Sequence, residues 1–202
     1  MNSSRPLLLF LYLSISISIS ACSNFISLEK TSQFQEANPD EVVWKKSFKY
    51  GIAGVYNPNT VQIEWRKAIK NYGIAGVYNP VTQEVEWMEN WHGGIAGVYN
   101  PKTEEIEWKT AWKQGVAGVY NPITEEIEWN TAWNSGIAGV FNPITEEIEW
   151  KKTWHRGVSG YYNPESEEII WDDYFKSGIV AISTFDNYQT THSYSYIGVI
   201  ED

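Results

Sequence analysis

Three histidines, a recurring set of carboxylates and one cysteine are the side chains with chemical reach in this 202-residue chain. His92 and His155 hold equivalent slots, where other repeats have Lys113 or Asn134. A slot that accepts Lys reads as a solvent position rather than a metal or base position. His192 lies in a Ser-, Thr- and Tyr-rich tail with no carboxylate at a telling spacing. Glu104, Glu105 and Glu107 recur as Glu125, Glu126 and Glu128, then as Glu146, Glu147 and Glu149. In stacked hairpins such rows repeat every two strand spacings, roughly 9.5 Å. Calcium ligands must converge to about 2.3–2.6 Å from the ion, so one row cannot close a site. Neighbouring acids in the turn leave room only for weak Ca²⁺ binding, and the row reads as a solvated acidic face. With no triad and no metal-ligand cluster, the expectation is a protein that is not an enzyme and has no cofactor and no metal.

The single cysteine, Cys22, excludes an intramolecular disulfide and a Cys-based zinc site. Fifteen cationic against 25 anionic side chains give a net charge of −10, which disfavours nucleic acid as a partner because phosphates demand a basic surface. The unusual wealth is aromatic, with 11 Trp and 13 Tyr.

The elements that carry these residues repeat. Gly-Ile-Ala-Gly-Val-Tyr-Asn-Pro or a close variant opens at Gly51, Gly73, Gly94, Gly115, Gly136 and Gly157, with a divergent start at Gly178. Each full unit closes on a Trp, from Trp65 to Trp171, and Glu41-Val42-Val43-Trp44 supplies a closing half before the first glycine. A 21-residue period means a repeat architecture in which neighbours bury one another's apolar faces. A helix over Thr103–Trp108 would set Ile106 and Trp108 about 200° apart, on opposite faces. Strict alternation in Val61-Gln62-Ile63-Glu64-Trp65 fits a strand, and Asn121-Pro122-Ile123-Thr124 makes a turn. Each unit therefore reads as a β-hairpin, with a strand–helix unit as the alternative.

The expected fold is all-β: about seven hairpin units as a solenoid or extended single sheet, closed by a C-terminal capping hairpin. The sequence does not decide between a solenoid and a closed arrangement. The expected divisions are 1–21 signal peptide, 22–40 tether, 41–177 repeats and 178–202 cap.

The apolar-only side of each opening strand, carrying Ile, the second glycine and Tyr, is the expected core face, shared with Ile106 and Trp108. The second glycine would make room for the Trp ring. The Ala and Val side holds Ser159 and Tyr161 in unit six and reads as the less buried one. A second row, four residues after each closing Trp, runs Phe48, Ile69, Trp91, Trp112, Trp133, Trp154 and Phe175. Its tolerance of Ile and Phe reads as a packing plug in the inter-unit loop. The other reading makes Trp91, Trp112, Trp133 and Trp154 a ligand-stacking ladder, which needs a ring at each step. On the core-face expectation Trp129→Ala costs about 3–5 kcal/mol, Trp171→Ala at an end costs less, and Trp133→Ala falls between.

Residues 1–21 have a positive start at Arg5 and an apolar stretch, Pro6 to Ser20, too short to span a membrane comfortably. That stretch ends in Ile19-Ser20-Ala21-Cys22, which resembles the lipobox of bacterial lipoproteins. The resemblance implies acylation of the Cys22 thiol and cleavage before it, and Ser23 in place of Asp implies the outer membrane. An ordinary secretory signal cut near Ala21 is the alternative.

Two further resemblances concern the repeats. Trp108 to Gly115, followed by Gly118-Val119-Tyr120, is similar to the MORN repeat, although Ala111, Ala132 or Thr153 stands where that repeat has a glycine. Val55-Tyr56-Asn57-Pro58-Asn59-Thr60 resembles the cell-wall-binding repeats of choline-binding proteins and clostridial toxins, with a different Asn-Pro to Trp spacing. Both imply hairpin arrays, and the second would imply aromatic cages for choline or glycan.

Together these readings describe a non-enzymatic, lipid-anchored envelope or surface protein of a bacterial membrane, outer membrane or cell surface. Its role would be interaction, adhesion or structure, with membrane contact through the anchor and a protein or glycan partner. A glycan- or choline-binding lectin-like repeat is the alternative.

Overall fold

A computed structural model describes residues 33–38, 41–48, 50–69, 71–175 and 177–183. Cys22, His192 and the last part of the expected cap lie outside the described residues. Within them the chain is all-β, with fifteen strands and no helix, so the hairpin reading holds and the strand–helix alternative does not.

The strands are β1 (Gln33–Glu36), β2 (Val42–Phe48), β3 (Ile52–Asn57), β4 (Gln62–Lys67), β5 (Tyr72–Asn79), β6 (Glu84–Trp91), β7 (Gly93–Asn100) and β8 (Glu105–Trp112). They continue as β9 (Gln114–Asn121), β10 (Glu126–Trp133), β11 (Ser135–Asn142), β12 (Glu147–Trp154), β13 (Arg156–Asn163), β14 (Glu168–Phe175) and β15 (Ser177–Ser183). Each opening strand pairs antiparallel with the closing strand of its own repeat: β3 with β4, β5 with β6, and so on to β13 with β14. These hairpins are blades one to six. They are separate sheets rather than one extended sheet.

The turn chemistry explains why every hairpin reverses at the same place. Asn79, Asn100, Asn121 and Asn142 are buried, and each Oδ1 accepts the backbone N–H two residues on at 3.0 Å. The proline between them needs no donor partner. A residue in the left-handed region, such as Gln83 (φ 62°) or Glu104 (φ 59°), completes the turn. Its N–H returns to the Asn carbonyl at 2.8–2.9 Å.

That turn sets the register, and the register places Trp129 opposite Gly118. A Cβ on Gly118 would lie 2.5 Å from Trp129 Cζ3 and 2.8 Å from Val98 Cγ2 of the preceding blade. The glycine therefore gives space to its own Trp and to its neighbour at once. Gly115 faces the other way, against the carbonyl oxygen of Ser135 in the following blade. Blades thus stack face against face, and both faces of the opening strand are covered.

This corrects the one-sided core. Ala96, Val98, Ala117 and Val119 are buried along with Ile95 and Val116. Ser159 and Tyr161 do not mark a wet face. Ser159 is fully buried, and its Oγ accepts the Ala181 N–H at 3.1 Å. Tyr161 packs edge-on against Trp44, with ring centroids 6.0 Å apart. Both substitutions serve one interface, that between blades six and seven.

Blade seven is built from the two ends of the array. β15 pairs with β2, matching Ala181 to Trp44. The opening strands pack in order from β3 to β15, and β15 packs back on β3. Gly178 lies against the Ile52 nitrogen and the Tyr50 oxygen of blade one. Lys45 of blade seven sits 4.6 Å over Trp65 of blade one. The same contact joins consecutive blades elsewhere: Arg66 over Trp87 at 4.7 Å, Lys109 over Trp129 at 5.7 Å and Lys151 over Trp171 at 5.8 Å. The repeat array is therefore a closed seven-blade ring. β2 covers the edge of β15 that an open array would expose at its last blade.

One strand departs from the expected tether. Gln33–Glu36 forms β1 on the outer edge of β4, with Gln33 opposite Trp65 and Glu36 opposite Gln62. With that edge covered, Ile63 and Trp65 are fully buried, whereas Ile106 and Trp108 in blade three are half-buried.

Candidate interaction surface

The hairpins place all their turns on one rim of the ring and all the blade-to-blade junctions on the other. Four junctions are single residues in the left-handed region, His92 (φ 49°), Lys113 (φ 52°), Asn134 (φ 47°) and His155 (φ 51°), while the longer connection from β4 to β5 ends on Asn71 (φ 68°) in the same region. Asn and His enter this region more readily than most residues, which is why they recur in the slot. The slot is thus chosen by backbone geometry as well as by solvent. The junctions are also tied to one another. The His92 N–H donates to Asn71 O at 2.8 Å, and the Lys113 N–H to His92 O at 2.9 Å. Asn134 and His155 continue the chain at 3.4 and 3.3 Å.

Immediately before the junctions stand Trp91, Trp112, Trp133 and Trp154, which are 57%, 58%, 56% and 65% exposed. Phe48, Ile69 and Phe175 continue the row and are exposed as well. The packing-plug reading is therefore overturned. Apart from Ile69, which lies past the end of β4, these side chains share a face with the closing Trp, being four residues further along the same strand. Where they lie in a strand they pair with the first residue of the opening strand, as Trp112 does with Gly93, at the rim where the rings stay largely in solvent. Trp91 and Trp112 meet edge-to-face at 6.4 Å, with His92 4.6 Å from the first and 5.7 Å from the second. Trp133→Ala should accordingly change stability by no more than about 0.5 kcal/mol, as surface substitutions do. Denaturant unfolding of the variant beside wild type checks this; a loss of several kcal/mol would restore the plug.

Charge is divided between the two rims. On the junction half of the outer strands stand Arg66, Lys67, Lys109, Lys151 and Lys152, with Lys113 at a junction itself. The acids there are Glu89, Asp172 and Asp173; Asp172 pairs with Lys46 at 2.7 Å and Asp173 with Arg156 at 2.6 Å. The repeated glutamates stand at and beside the turns. Not all of them are simply solvated. Glu86, Glu107, Glu128 and Glu149 each accept a hydrogen bond from the Nδ2 of the buried turn Asn at 2.8–2.9 Å. Glu125 meets Lys102 at 2.9 Å, and that cation holds its carboxyl below the usual carboxylate range. Exposed Val81, Ile123 and Ile144 intersperse the same rim.

No group of three potential metal ligands occurs among the described residues. The junction histidines touch aromatic rings, His92 beside Trp91 and Trp112 and His155 beside Trp154. What the surface offers is contact: an aromatic and basic rim opposite an acidic one.

No protein-family model, curated protein or solved structure matches this chain.

Proposed function

We propose that the chain is a non-enzymatic, lipid-anchored envelope protein whose ring is an interaction module, presenting its acidic turn rim away from the membrane. One observation carries this reading: the glutamates gather on the rim opposite the end of blade one at which β1 begins. β1 runs antiparallel to β4, so Gln33 lies nearer the junction end of blade one and Glu36 at its turn end. The acidic rim is then the side left open to a partner, and its interspersed Ile123 and Ile144 supply apolar contact within a polar surround. Acylation of Cys22 with more than one chain would hold the protein stably, where a single chain is marginal.

Cys22→Ser tests the anchor. The variant should leave the detergent phase or accumulate as uncut precursor. Wild-type processing together with wild-type detergent partitioning would show that Cys22 carries no lipid.

The exposure of Trp91, Trp112, Trp133 and Trp154 favours a second reading, a lectin-like protein that stacks sugar rings on these side chains. Against it, the one close Trp pair is edge-to-face, at 84°, and offers no parallel sandwich. A glycan array probed with residues 23–202 distinguishes the two readings, because only the lectin would retain specific sugars.

A further inference from the structure

We infer that the junction rim is itself a membrane-contact surface, with Trp91, Trp112, Trp133 and Trp154 seated among the headgroups of an anionic phospholipid bilayer. The inference deepens the anchored reading, on which the tether geometry below rests; the chemistry of the rim stands apart from it.

The row of exposed residues has the composition an interface needs. Trp offers an apolar body and one N–H, which suits the boundary between acyl chains and water. A sugar-stacking site needs a flat ring at every step, yet the row also contains Ile69. A bilayer needs only apolar bulk, and Ile69, Phe48 and Phe175 supply it as well as Trp does. Their placement on every blade makes the contact a circle rather than a point.

Charge agrees with this occupant. Lys67, Lys113 and Lys152 lie beside the aromatic row, where basic groups are attracted to an anionic surface. Asp172 and Asp173 on this half are already paired with Lys46 and Arg156. The chain's net charge of −10 taken as a whole opposes an anionic membrane. An eight-residue strand such as β8, however, is about 27 Å long at 3.4 Å per residue. The glutamates at its far end thus stand several Debye lengths away, the screening length being about 8 Å at physiological salt. Repulsion from the acidic rim is therefore largely screened, while attraction at the junction rim is not.

Tether length agrees too. Residues 23–32 separate Cys22 from Gln33, and these ten residues reach at most about 36 Å. Because Gln33 lies toward the junction end of β4, that length is enough for acyl chains on Cys22 to insert while that rim rests on the bilayer. With the turn rim on the bilayer, most of that reach would be spent in running back along the blade.

The test uses residues 23–202, which contain every described strand and the closed ring but no anchor. This protein is mixed with vesicles of phosphatidylcholine and phosphatidylglycerol carrying brominated acyl chains, which quench nearby Trp emission. The expected result is binding with quenching that weakens as salt is raised, and little binding to vesicles of phosphatidylcholine alone. Trp91→Ser, Trp112→Ser, Trp133→Ser and Trp154→Ser combined should lower the partition coefficient at least tenfold, with the unfolding midpoint kept as proof of an intact ring. Absence of binding to the anionic vesicles overturns the inference, as does equal binding to both vesicle types. Unchanged binding by the fourfold variant overturns it as well. Indifference to vesicles with retention on a glycan array transfers the row to the lectin reading. Because the anchor is absent from this protein, none of these outcomes bears on acylation, which Cys22→Ser tests separately.

Discussion

Trp65→Ala should lower the free energy of unfolding by about 3–5 kcal/mol, the range for removing a large aromatic side chain from a core. No other closing Trp is as enclosed. Trp65 is 2% exposed, with Gly54 beneath its ring, Lys45 over it at 4.6 Å and β1 along the edge of its strand. Trp129 lacks the covering strand and is half-buried, so its removal should cost less, about 1.5–3 kcal/mol. Trp171 occupies the same half-buried environment in blade six, with a neighbour on either side. A closed ring has no end unit, so Trp171→Ala should match Trp129→Ala. The lower cost that a linear array predicts for Trp171 does not carry over. Trp65→Phe should be milder than Trp65→Ala for a second reason. The buried Trp65 N–H has no hydrogen-bond partner among the described residues, and Phe removes that unmet donor while keeping most of the ring. Denaturant unfolding of the four variants provides the comparison. A Trp65→Ala loss no larger than that of Trp129→Ala would refute the role given to β1.

Removing residues 1–48 should abolish the cooperative fold. β15 would lose its only paired strand, and the surroundings that keep Ile179, Val180 and Ile182 almost fully buried would be lost. At about 1.5–3 kcal/mol for each such side chain, the loss is roughly 5–9 kcal/mol. That is comparable to the whole stability of an ordinary domain, about 5–15 kcal/mol. The shortened chain should run as aggregates in size-exclusion chromatography and lack a sharp thermal transition. A peptide spanning residues 33–50 should restore both, because it supplies β1 and β2 as separate strands. A monomeric shortened chain that melts within a few degrees of wild type would mean that closure through β2 contributes little.

Local structure was legible in the residues themselves. Alternation in Val61–Trp65 reports a strand because side chains two apart share a face, and Asn-Pro reports a turn because each residue restricts the backbone in its own way. The placement of glycine under Trp follows from the same parity, and Gly118 beneath Trp129 confirms it. The seven openings and seven closings were also on view, offset by half a unit from Trp44 onward. That offset was the available sign that the two ends make one blade.

What parity cannot report is what lies beyond a face. Trp129 and Trp133 are four residues apart on one side of one strand, yet only the first has a neighbouring blade over it. Burial changes along the strand as well as across it, and only the stacking of blades sets where cover ends. For the same reason Ala117 and Val119, on the side that looked less buried, are core, since a blade between two others has no outer face. Closure is further removed still from the local pattern. It depends on the rotation from blade to blade summed around seven units, which no single repeat encodes, and on Ser159, Tyr161 and Ala181 meeting across one interface. Gln33–Glu36 has a single apolar residue, Phe34, and is exposed along its whole length, so its pairing with β4 is a property of the open edge it found. Sequence determined the hairpin, its turn and its glycine–Trp pair, while tertiary structure decided the ring, the two rims and which tryptophans face water.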